Sequence, residues 1–351
     1  MAMSWDLDRR SLVEACRLVR PALGTDLPIH QGIRIEFLDG ELRIGASNSV
    51  MAIRTQVRAP DVAQGPALVV PGMVLTRFVE SSEGDTLSLS MINGQMVIEA
   101  PGGRLRLVPF ADELWPRPEV IEADAVTIAD GDALQISRVL FAVASAGQVP
   151  SLMGVHLSSG KATATDKQRL AQAPFDADVA SMIVPTGFLR VMLRDRGDQP
   201  VSIRVGHRRV GFATSDTAWE SQTIPPPYPN VAPLLAQRAS ARLLEFDRAL
   251  LARALEQLGV FGAADSHVQV TVAGANCELR VEHAEYGESL QEIEIGGSWS
   301  GEIWFNLSHL NDAVAASSAQ MTVLAIDEPD KPVILRDPEL VQVLMPRVRS
   351  T

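Results

Sequence analysis

The chain has 351 residues, of which 46% are hydrophobic, and its formal net charge is −12. This length predicts two or three domains with packed cores, and apolar runs shorter than the ~20 residues that cross a bilayer predict a cytoplasmic protein without a membrane partner. The negative charge disfavours tight binding of nucleic acid through a basic surface, and two tyrosines are too few for a platform that stacks single strands.

The first predicted element is an amphipathic helix in "DLDRRSLVEACRLVRPAL", which starts at Asp6 and carries apolar residues at helical spacing. Alternating strands follow, and Asp39-Gly40 between them is typical of a β-hairpin turn. The stretch "LVVPGMVLTRFVESSEGDTLSLSMINGQMVIEA" then predicts a strand end, a second helix that opens at Pro71, and a further hairpin. The first part of the chain is therefore predicted to run helix, strands, helix, strands.

The same order of elements occurs twice more along the chain. Helices are predicted in "GDALQISRVLFAVASA" and "EFDRALLARALEQLGV", where Asp132 and Asp247 lie near the helix starts. Hairpin turns are predicted at Ser159-Gly160 and Gly274-Ala275, and second helices open at Pro185 and Asn306. A repeat of this size is a domain rather than a solenoid unit.

Pro- and Gly-rich stretches at 113–124 and 224–235 are the candidate linkers between these repeats. We therefore predict an α+β fold of three repeated domains, each with paired helices on antiparallel sheets, at 1–120, 121–233 and 234–351.

Arginine supplies almost all of the positive charge, since the only lysines are Lys161, Lys167 and Lys331. Five of the six predicted helices carry arginine, and on the first helix three arginines lie within about 80° of each other. The helix arginines are Arg10, Arg17, Arg20, Arg77, Arg138, Arg190, Arg194, Arg248 and Arg253. They could be ordinary solvated faces, or a weakly basic helical surface that tolerates phosphates without gripping them.

An enzyme is the main competing class, and the sequence offers little for it. The six histidines include no pair at i, i+4 for a helical metal site, and "VEHAEY" lacks the second histidine of HExxH. In "GGSWSG" Trp299 stands where a nucleophile elbow needs serine. Cys16 and Cys277 are predicted to be buried thiols. We predict no catalytic residue, no metal site and no cofactor.

Several strings in family order resemble the bacterial DNA polymerase III β subunit, the sliding clamp. They are "LPIHQGIRIEFLDGELRIGAS", "VVPGMVLTRFVESS", "LMGVHLSSGKATATDKQRLA", "IVPTGFLRVML", "YPNVAPLL" and "VQVLMP". The resemblance implies a head-to-tail homodimer whose two three-domain subunits close a six-domain ring around duplex DNA. A ring holds DNA by topology, so weak phosphate contacts from helix arginines suffice, which suits an acidic chain.

The function implied by the resemblance is that of a non-catalytic processivity factor. Its partners would be double-stranded DNA, the DNA polymerase III α subunit, the clamp loader and other proteins that carry a clamp-binding motif. Two alternatives stay open. The chain could be a divergent paralogue with another partner set, either specialised or inhibitor-resistant, or a scaffold with the clamp fold that does not act on DNA.

The resemblance also implies two sets of site residues. The pocket for partner peptides, between the second and third domains, would comprise Leu152, Thr165, Arg169, Leu170, Pro229, Leu234, Val343, Leu344, Met345 and Pro346. The dimer interface would bring Leu105 and Leu107 to the region of Leu255 and Leu258. The chain departs from the family at Ser151, at Lys167-Gln168 (commonly Gly-His), at Pro233 and in the tail "RVRST". Ordinary core packing is the alternative for the leucines and the pocket residues.

Overall fold

The computed structural model describes residues 4–118, 121–145, 147, 149–236, 241–261 and 266–347. The predicted domain boundary at residue 120 and the tail beyond Arg347 lie outside these residues. Within the described ranges, each helix is too short or too polar to cross a membrane.

All six predicted helices are confirmed, and a seventh, very short helix occurs in the proline-rich stretch at 224–235. The α-helices are α1 Arg9–Val19, α2 Gly72–Ser81, α3 Asp130–Val139, α4 Thr186–Asp195, α5 Ala232–Leu235, α6 Arg248–Leu258 and α7 Leu307–Ala316. Single 3-10 turns are formed by Arg20–Ala22, Pro28–Gln31, Asp112–Leu114, Leu140–Ala142, Pro150–Leu152 and Gly259–Phe261.

Side-chain caps explain where three of the helices begin. The Asp8 carboxylate accepts a hydrogen bond from the Ser11 amide at 2.7 Å, and Asp247 accepts one from the Leu250 amide at 2.9 Å. The Asn306 side chain accepts from the His309 amide in the same way. Each cap satisfies an amide that has no partner inside the helix. Asp6 lies on the preceding strand, so Asp8 is the residue that starts α1.

The strands make up most of the remaining chain. They are β1 Ser4–Asp8, β2 Gly32–Leu38, β3 Glu41–Ser47, β4 Met51–Arg58, β5 Leu68–Pro71, β6 Thr86–Ile92, β7 Gln95–Ala100, β8 Gly103–Leu107, β9 Val126–Ile128, β10 Gly154–Ser158, β11 Lys161–Thr165, β12 Arg169–Ala173, β13 Met182–Pro185, β14 Val201–Val205, β15 Arg209–Ala213, β16 Thr217–Gln222, β17 Arg242–Asp247, β18 His267–His283, β19 Gly287–Asn306, β20 Met321–Ile326, β21 Val333–Asp337 and β22 Leu340–Leu344.

Strand β18 folds back on itself at its register break between Gly274 and Asn276. A straight strand of 17 residues would be roughly 55 Å long. Yet the ring of Phe261, just before β18, lies only 5.8 Å from the ring of His283 at its far end. The chain must therefore reverse at the break, which confirms the hairpin predicted at Gly274-Ala275. The reversal divides β18 into arms 267–274 and 276–283, which pair with arms 299–306 and 287–294 of β19.

One strand order occurs three times, as expected for repeated α+β units with antiparallel sheets. The first four-stranded group has the order β5-β2-β3-β4, and β13-β10-β11-β12 repeats it. The arms of β18 and β19 follow the same order. The second group has the order β1-β6-β7-β8, repeated by β9-β14-β15-β16 and β17-β20-β21-β22. This repeat confirms the predicted fold class, and the exact domain boundaries stay a prediction.

Neighbouring repeats share sheets, because β4 pairs with β16 and β12 pairs with β22. The chain accordingly divides into two compact units. The first unit comprises Met1–Ile128 and Gly187–Thr223, and the second comprises Ala129–Thr186 and Ile224–Thr351. The middle repeat thus contributes one of its sheets to each unit.

The two cysteines are free and buried, as predicted. Burial is the main cause that raises the pKa of each thiol to about 12. Cys277 packs in the core of the second unit with Phe246, Leu255, Val270 and Phe305. Such thiols are protonated at neutral pH and unreactive, so they contribute to packing rather than to chemistry.

Candidate functional site

The residues predicted for the peptide pocket surround a small apolar cluster in the second unit, which we call the junction cluster. Pairing of β12 with β22 sets Leu170 opposite Val343. Both side chains are buried and pack with Ala325 and Ile334. The partly buried residues around them are Val231, Leu235, Ala241 and Val341. Apolar surface therefore continues from this core to the solvent-facing side of the sheet.

A cavity of about 110 Å³ opens beside the junction cluster, between the short helix α5 and strands β20 and β21. Pro233 and Leu234 line one side, and Ala325 and Ile334 line the other. Leu234 is 43% exposed and Met345 is 38% exposed. A large apolar side chain left in solvent on the wall of a cavity, as Leu234 is, is typical of a surface that binds another molecule.

The turn between β11 and β12 is held by its own polar side chains. The Thr165 hydroxyl donates to the Arg169 carbonyl at 2.8 Å, and the Asp166 carboxylate accepts from the Gln168 and Arg169 amides. Lys167 has a φ of 78°, in the left-handed region that favours glycine. The turn thus keeps its shape although lysine stands where the resembling family commonly has glycine, and it presents an exposed cation.

Arg169 is engaged with acidic residues of its own chain. Its guanidinium donates to Asp166 at 2.9 Å and to Asp312 at 2.6 Å, and it lies 5.5 Å from the Phe141 ring centre. The neighbouring His309 is half-buried, and burial followed by the Arg169 charge lowers its pKa. Arg169 therefore joins β12 to α7, and a ligand at this site would meet a guanidinium already neutralised by two carboxylates.

The other predicted pocket residues lie in different environments. Leu344 is buried among the core residues of α6 and α7 on the opposite face from Val343, so its assignment to the pocket was wrong. Alternation along β22 causes this difference. Leu152 is buried but outside the junction cluster, Pro229 is exposed, and Pro346 is half-buried after β22.

Seven of the nine helix arginines are solvent-exposed. They are Arg10, Arg17, Arg20, Arg77, Arg190, Arg194 and Arg253. Several of them pair with acids, among them Arg17 with Glu80 at 2.6 Å and Arg194 with Asp195 at 2.6 Å. The positive face predicted from the helix patterns is consequently weak.

The assignment of Arg138 to the solvent-exposed basic surface of the helices was wrong. Its side chain is 7% exposed and donates to Asp337, which is 1% exposed, at 2.6 Å. It also donates to the carbonyl of Ala316 at the end of α7 and to Glu339. Arg248 is half-buried and donates to the Ala319 carbonyl. Arg138 is thus a buried connection between α3 and the last repeat.

Three of the four leucines predicted for the dimer interface are core residues. Leu107, Leu255 and Leu258 are buried in their own units, so they cannot present a surface to a second chain. Leu105 is half-buried on β8. Strand β8 is paired on one side only, with β7, and arm 287–294 is paired only with arm 276–283 within the described part of the chain.

Sequence reasoning missed residues that complete these sites. Asp312 and Asp337, the acidic partners of Arg169 and Arg138, carried no local signal. Val231 and Leu235 fell within the string "YPNVAPLL", and Ala325 and Ile334 within alternating strands. The described residues contain no group of three or more His, Cys, Asp or Glu side chains that could hold a metal ion.

This threefold arrangement of paired sheets and helices is the fold of the bacterial DNA polymerase sliding clamps, as the sequence resemblance implied. The sliding clamp of Caulobacter crescentus has a TM-score of 0.92 at 22% identity, with all of both chains covered. The Bacillus subtilis clamp has a TM-score of 0.91 at 20% identity, again over all of both chains. The Pseudomonas aeruginosa clamp bound to griselimycin has a TM-score of 0.90 at 18% identity, over 99% of this chain and 100% of that one.

No model of a known protein family matches the chain. No curated protein matches it either.

Proposed function

We propose that the protein is a DNA sliding clamp, a non-catalytic processivity factor that encircles duplex DNA as a homodimer in the cytoplasm. The observation that carries this proposal is the agreement in fold over the whole length of both chains, with a TM-score of 0.92. Agreement over every repeat favours a complete clamp over a shared single domain. Retention on closed circular DNA is the property that tests it.

Closure of the ring is supported by a pairing rule within the chain. In both junctions between repeats, the fourth strand of one group pairs with the last strand of the next repeat: β4 with β16, and β12 with β22. The same rule leaves arm 287–294 and β8 as the remaining pair of edges. In the proposed dimer a second copy supplies the partner for each edge, head to tail.

The two free edges also have complementary charge. Strand β8 exposes Arg104 and Arg106, which alternate with Leu105 and Leu107. Arm 287–294 exposes three glutamates on one face, and these are Glu288, Glu292 and Glu294. An antiparallel pairing of the two would set arginines against glutamates on one face and Leu105 near the half-buried Ile293 on the other. The unpaired backbone edges of β8 and arm 287–294 and their opposite charges therefore both favour the proposed dimer.

The exposed helix arginines are the groups we propose to face DNA. The resembling fold would place its helices on the inside of the ring. Because several of these arginines pair with acids, contacts with phosphates would be weak and mobile, as sliding requires. The acidic remainder of the surface would discourage DNA from binding elsewhere.

We propose that the junction cluster and its cavity bind short peptide motifs of the polymerase α subunit, the clamp loader and other partners. Leucine-type anchors would pack against Leu234, Met345 and the edge of Leu170 and Val343. Thr165, Pro229 and Pro346 would form the rim. Leu152 lies outside the cluster, so its contribution to peptide binding is tested with a separate Leu152→Ala variant.

We expect Met345→Ala to weaken binding of a glutamine-and-leucine-rich clamp-binding peptide about tenfold. Met345 is accessible, and loss of contact with one Leu-sized anchor corresponds to ~1.5–3 kcal/mol, at about 1.4 kcal/mol per decade. Fluorescence polarisation with a labelled peptide measures the effect. Met321→Ala is the matched control, because Met321 is similarly exposed but pairs with Asp247 of β17, whereas the Met345 amide donates to the Gln168 carbonyl beside the junction cluster. Equal loss in both variants would argue against the assigned site.

A divergent clamp with an altered partner set is the second candidate, and the β11–β12 turn favours it. Lys167 adds a cation while Arg169 is already paired with Asp166 and Asp312. This charge pattern should favour motifs flanked by acidic residues, chiefly through association rate and salt dependence. Lys167→Gly should remove the preference between acidic and neutral flanks in the same polarisation assay.

A further inference from the structure

The eight-stranded sheet in the first unit carries a groove on the face that points away from its core. This groove has no role in the proposed clamp function. Odd-numbered residues of β2, such as Ile33 and Ile35, are buried in the core, so Arg34 and Glu36 point to the opposite face. A cavity of about 360 Å³ lies over that face. An adjoining cavity of about 290 Å³ shares Arg54 and Pro118 with it. Volumes of this size are typical of sites for small ligands.

The floor of the groove follows one row of cross-strand neighbours. Arg34 pairs with Gly45 and Gly45 with Arg54, which in turn pairs with Ala218. Ala218 pairs with Ala213 on β15, and Ala213 pairs with Ser202 on β14. The row therefore begins with two arginines around a glycine and ends in three small side chains. One end is lined by four arginines, and the other has a floor of small side chains beside Arg204.

The cationic end has donors left for a ligand. Four arginines line it, Arg34, Arg43, Arg54 and Arg117, against the carboxylates of Glu36, Asp112 and Glu220. Arg34 is fully engaged, with two bonds to Asp112 and one to Glu36. Arg43 is half-buried, donates one hydrogen bond to Glu36 and lies 3.8 Å from the Glu41 carboxylate, while Arg117 is exposed and donates one hydrogen bond to Asp112. Guanidinium forks with free N–H groups bind phosphate or carboxylate oxygens in pairs.

Two buried polar atoms in the groove have no hydrogen-bond partner. One is the indole Nε1 of Trp115, a cavity-lining residue that is 5% exposed. The other is Oε2 of Glu220, in the adjoining cavity. Buried donors and acceptors are normally paired, so an orphan of each kind in one groove indicates a ligand. The ligand would offer an acceptor to Trp115 and an N–H donor to Glu220.

We propose that this groove binds a nucleoside phosphate. Its phosphates would lie against Arg43, Arg54 and Arg117 and accept from the Trp115 indole. Its flat base would lie on the small-residue floor beneath Ile121, with an amino group donating to Glu220. A simple anion would leave Oε2 of Glu220 without a donor, and an uncharged nucleoside would leave the arginines unused. The inference does not depend on the proposed clamp function.

Isothermal titration of the full chain with ADP, pyrophosphate and adenosine tests the proposal. We expect ADP to bind more tightly than either pyrophosphate or adenosine. Trp115→Phe should weaken ADP binding about tenfold, because it removes the orphan donor and keeps an aromatic ring. Arg43→Gln with Arg117→Gln should weaken it at least as much, since neither arginine is buried.

Arg58→Gln is the control, because Arg58 lies on the same face of β4 as Arg54 but does not line the groove. It should change ADP affinity less than twofold. The proposal is overturned if ADP does not bind, if pyrophosphate binds as tightly as ADP, or if Arg58→Gln weakens binding as much as the groove variants. Circular dichroism of each variant establishes that it is folded.

Discussion

Replacing Arg138 with methionine should lower the free energy of unfolding by about 3–5 kcal/mol, the cost of removing one partner from a buried ion pair. The guanidinium donates to Asp337 at 2.6 Å, and both side chains are nearly inaccessible. Methionine keeps the apolar stem but leaves the Asp337 carboxylate with uncharged donors alone, which are the Ser317 hydroxyl and the Ser318 and Glu339 amides. Urea denaturation followed by circular dichroism measures the change.

Two further variants separate the buried charge from simple loss of packing. Arg138→Met combined with Asp337→Asn should be more stable than Arg138→Met alone, because the uncompensated carboxylate is gone. Arg253→Met, on the exposed face of α6 in the same unit, should cost no more than about 0.5 kcal/mol. If Arg138→Met lowers the free energy of unfolding by less than 1 kcal/mol, the ion-pair network around Arg138 contributes little to the stability of the fold.

Reversing the charge of β8 should convert the proposed dimer to monomers. Arg104→Glu with Arg106→Glu would set two new acids opposite Glu288 and Glu292 of a second copy. Like charges facing each other across an interface cost several kcal/mol, so we expect dimerisation to weaken at least about a hundredfold. Light scattering should then give the mass of one chain, 37.9 kDa, where the unaltered protein gives twice that value.

A second variant makes this test specific for head-to-tail pairing. Glu288→Arg with Glu292→Arg should also be monomeric alone, because its altered arm meets the arginines of β8. Mixing the two variants should restore a dimer, since each β8 then faces an arm of opposite charge at both interfaces. Pairing of β8 with its own copy would instead leave the Glu288→Arg, Glu292→Arg variant dimeric on its own, because its β8 is unaltered. An unchanged mass for both variants separately would count against the assigned edges.

The repeated architecture could be predicted because its signals are local. Apolar residues at helical spacing, the caps Asp247 and Asn306, and the turn at Asp39-Gly40 each depend on residues a few positions apart. The hairpin at Gly274-Ala275 was predicted in the same way. Three successive copies of these local patterns were sufficient to predict the succession of helices and strands along the chain, whereas the order of strands within each sheet is known only from the structure.

The interactions that the sequence did not predict join residues that are distant from each other in the chain. Arg138 has the position of a solvated helix arginine, but its partner Asp337 is 199 residues away. Arg169 meets Asp312 across 143 residues, so its engagement was equally invisible. An amphipathic pattern treats charged side chains as exposed, and only the tertiary fold shows which of them are buried with a partner.

Some positions transferred from the resembling family lie together in the structure and others lie apart. Leu170 and Val343 do meet, because β12 and β22 pair in register. Leu344 does not, since alternation turns the next residue of the strand into the core. Leu255 and Leu258 lie on the buried stripe of α6, as their spacing with Leu251 already suggested. The edges left unpaired could be recognised only from the complete sheets.

Retention of the protein on circular DNA, measured before and after the circle is cut, tests most directly whether the protein encircles duplex DNA. The protein would be loaded by a clamp loader onto nicked circular DNA, washed in salt that disrupts phosphate contacts, and followed before and after one restriction cut. Encirclement predicts that the circle retains the protein through the wash and that cutting releases it through the free ends. Equal retention on cut and uncut DNA, or loss from both in the salt wash, would contradict the account.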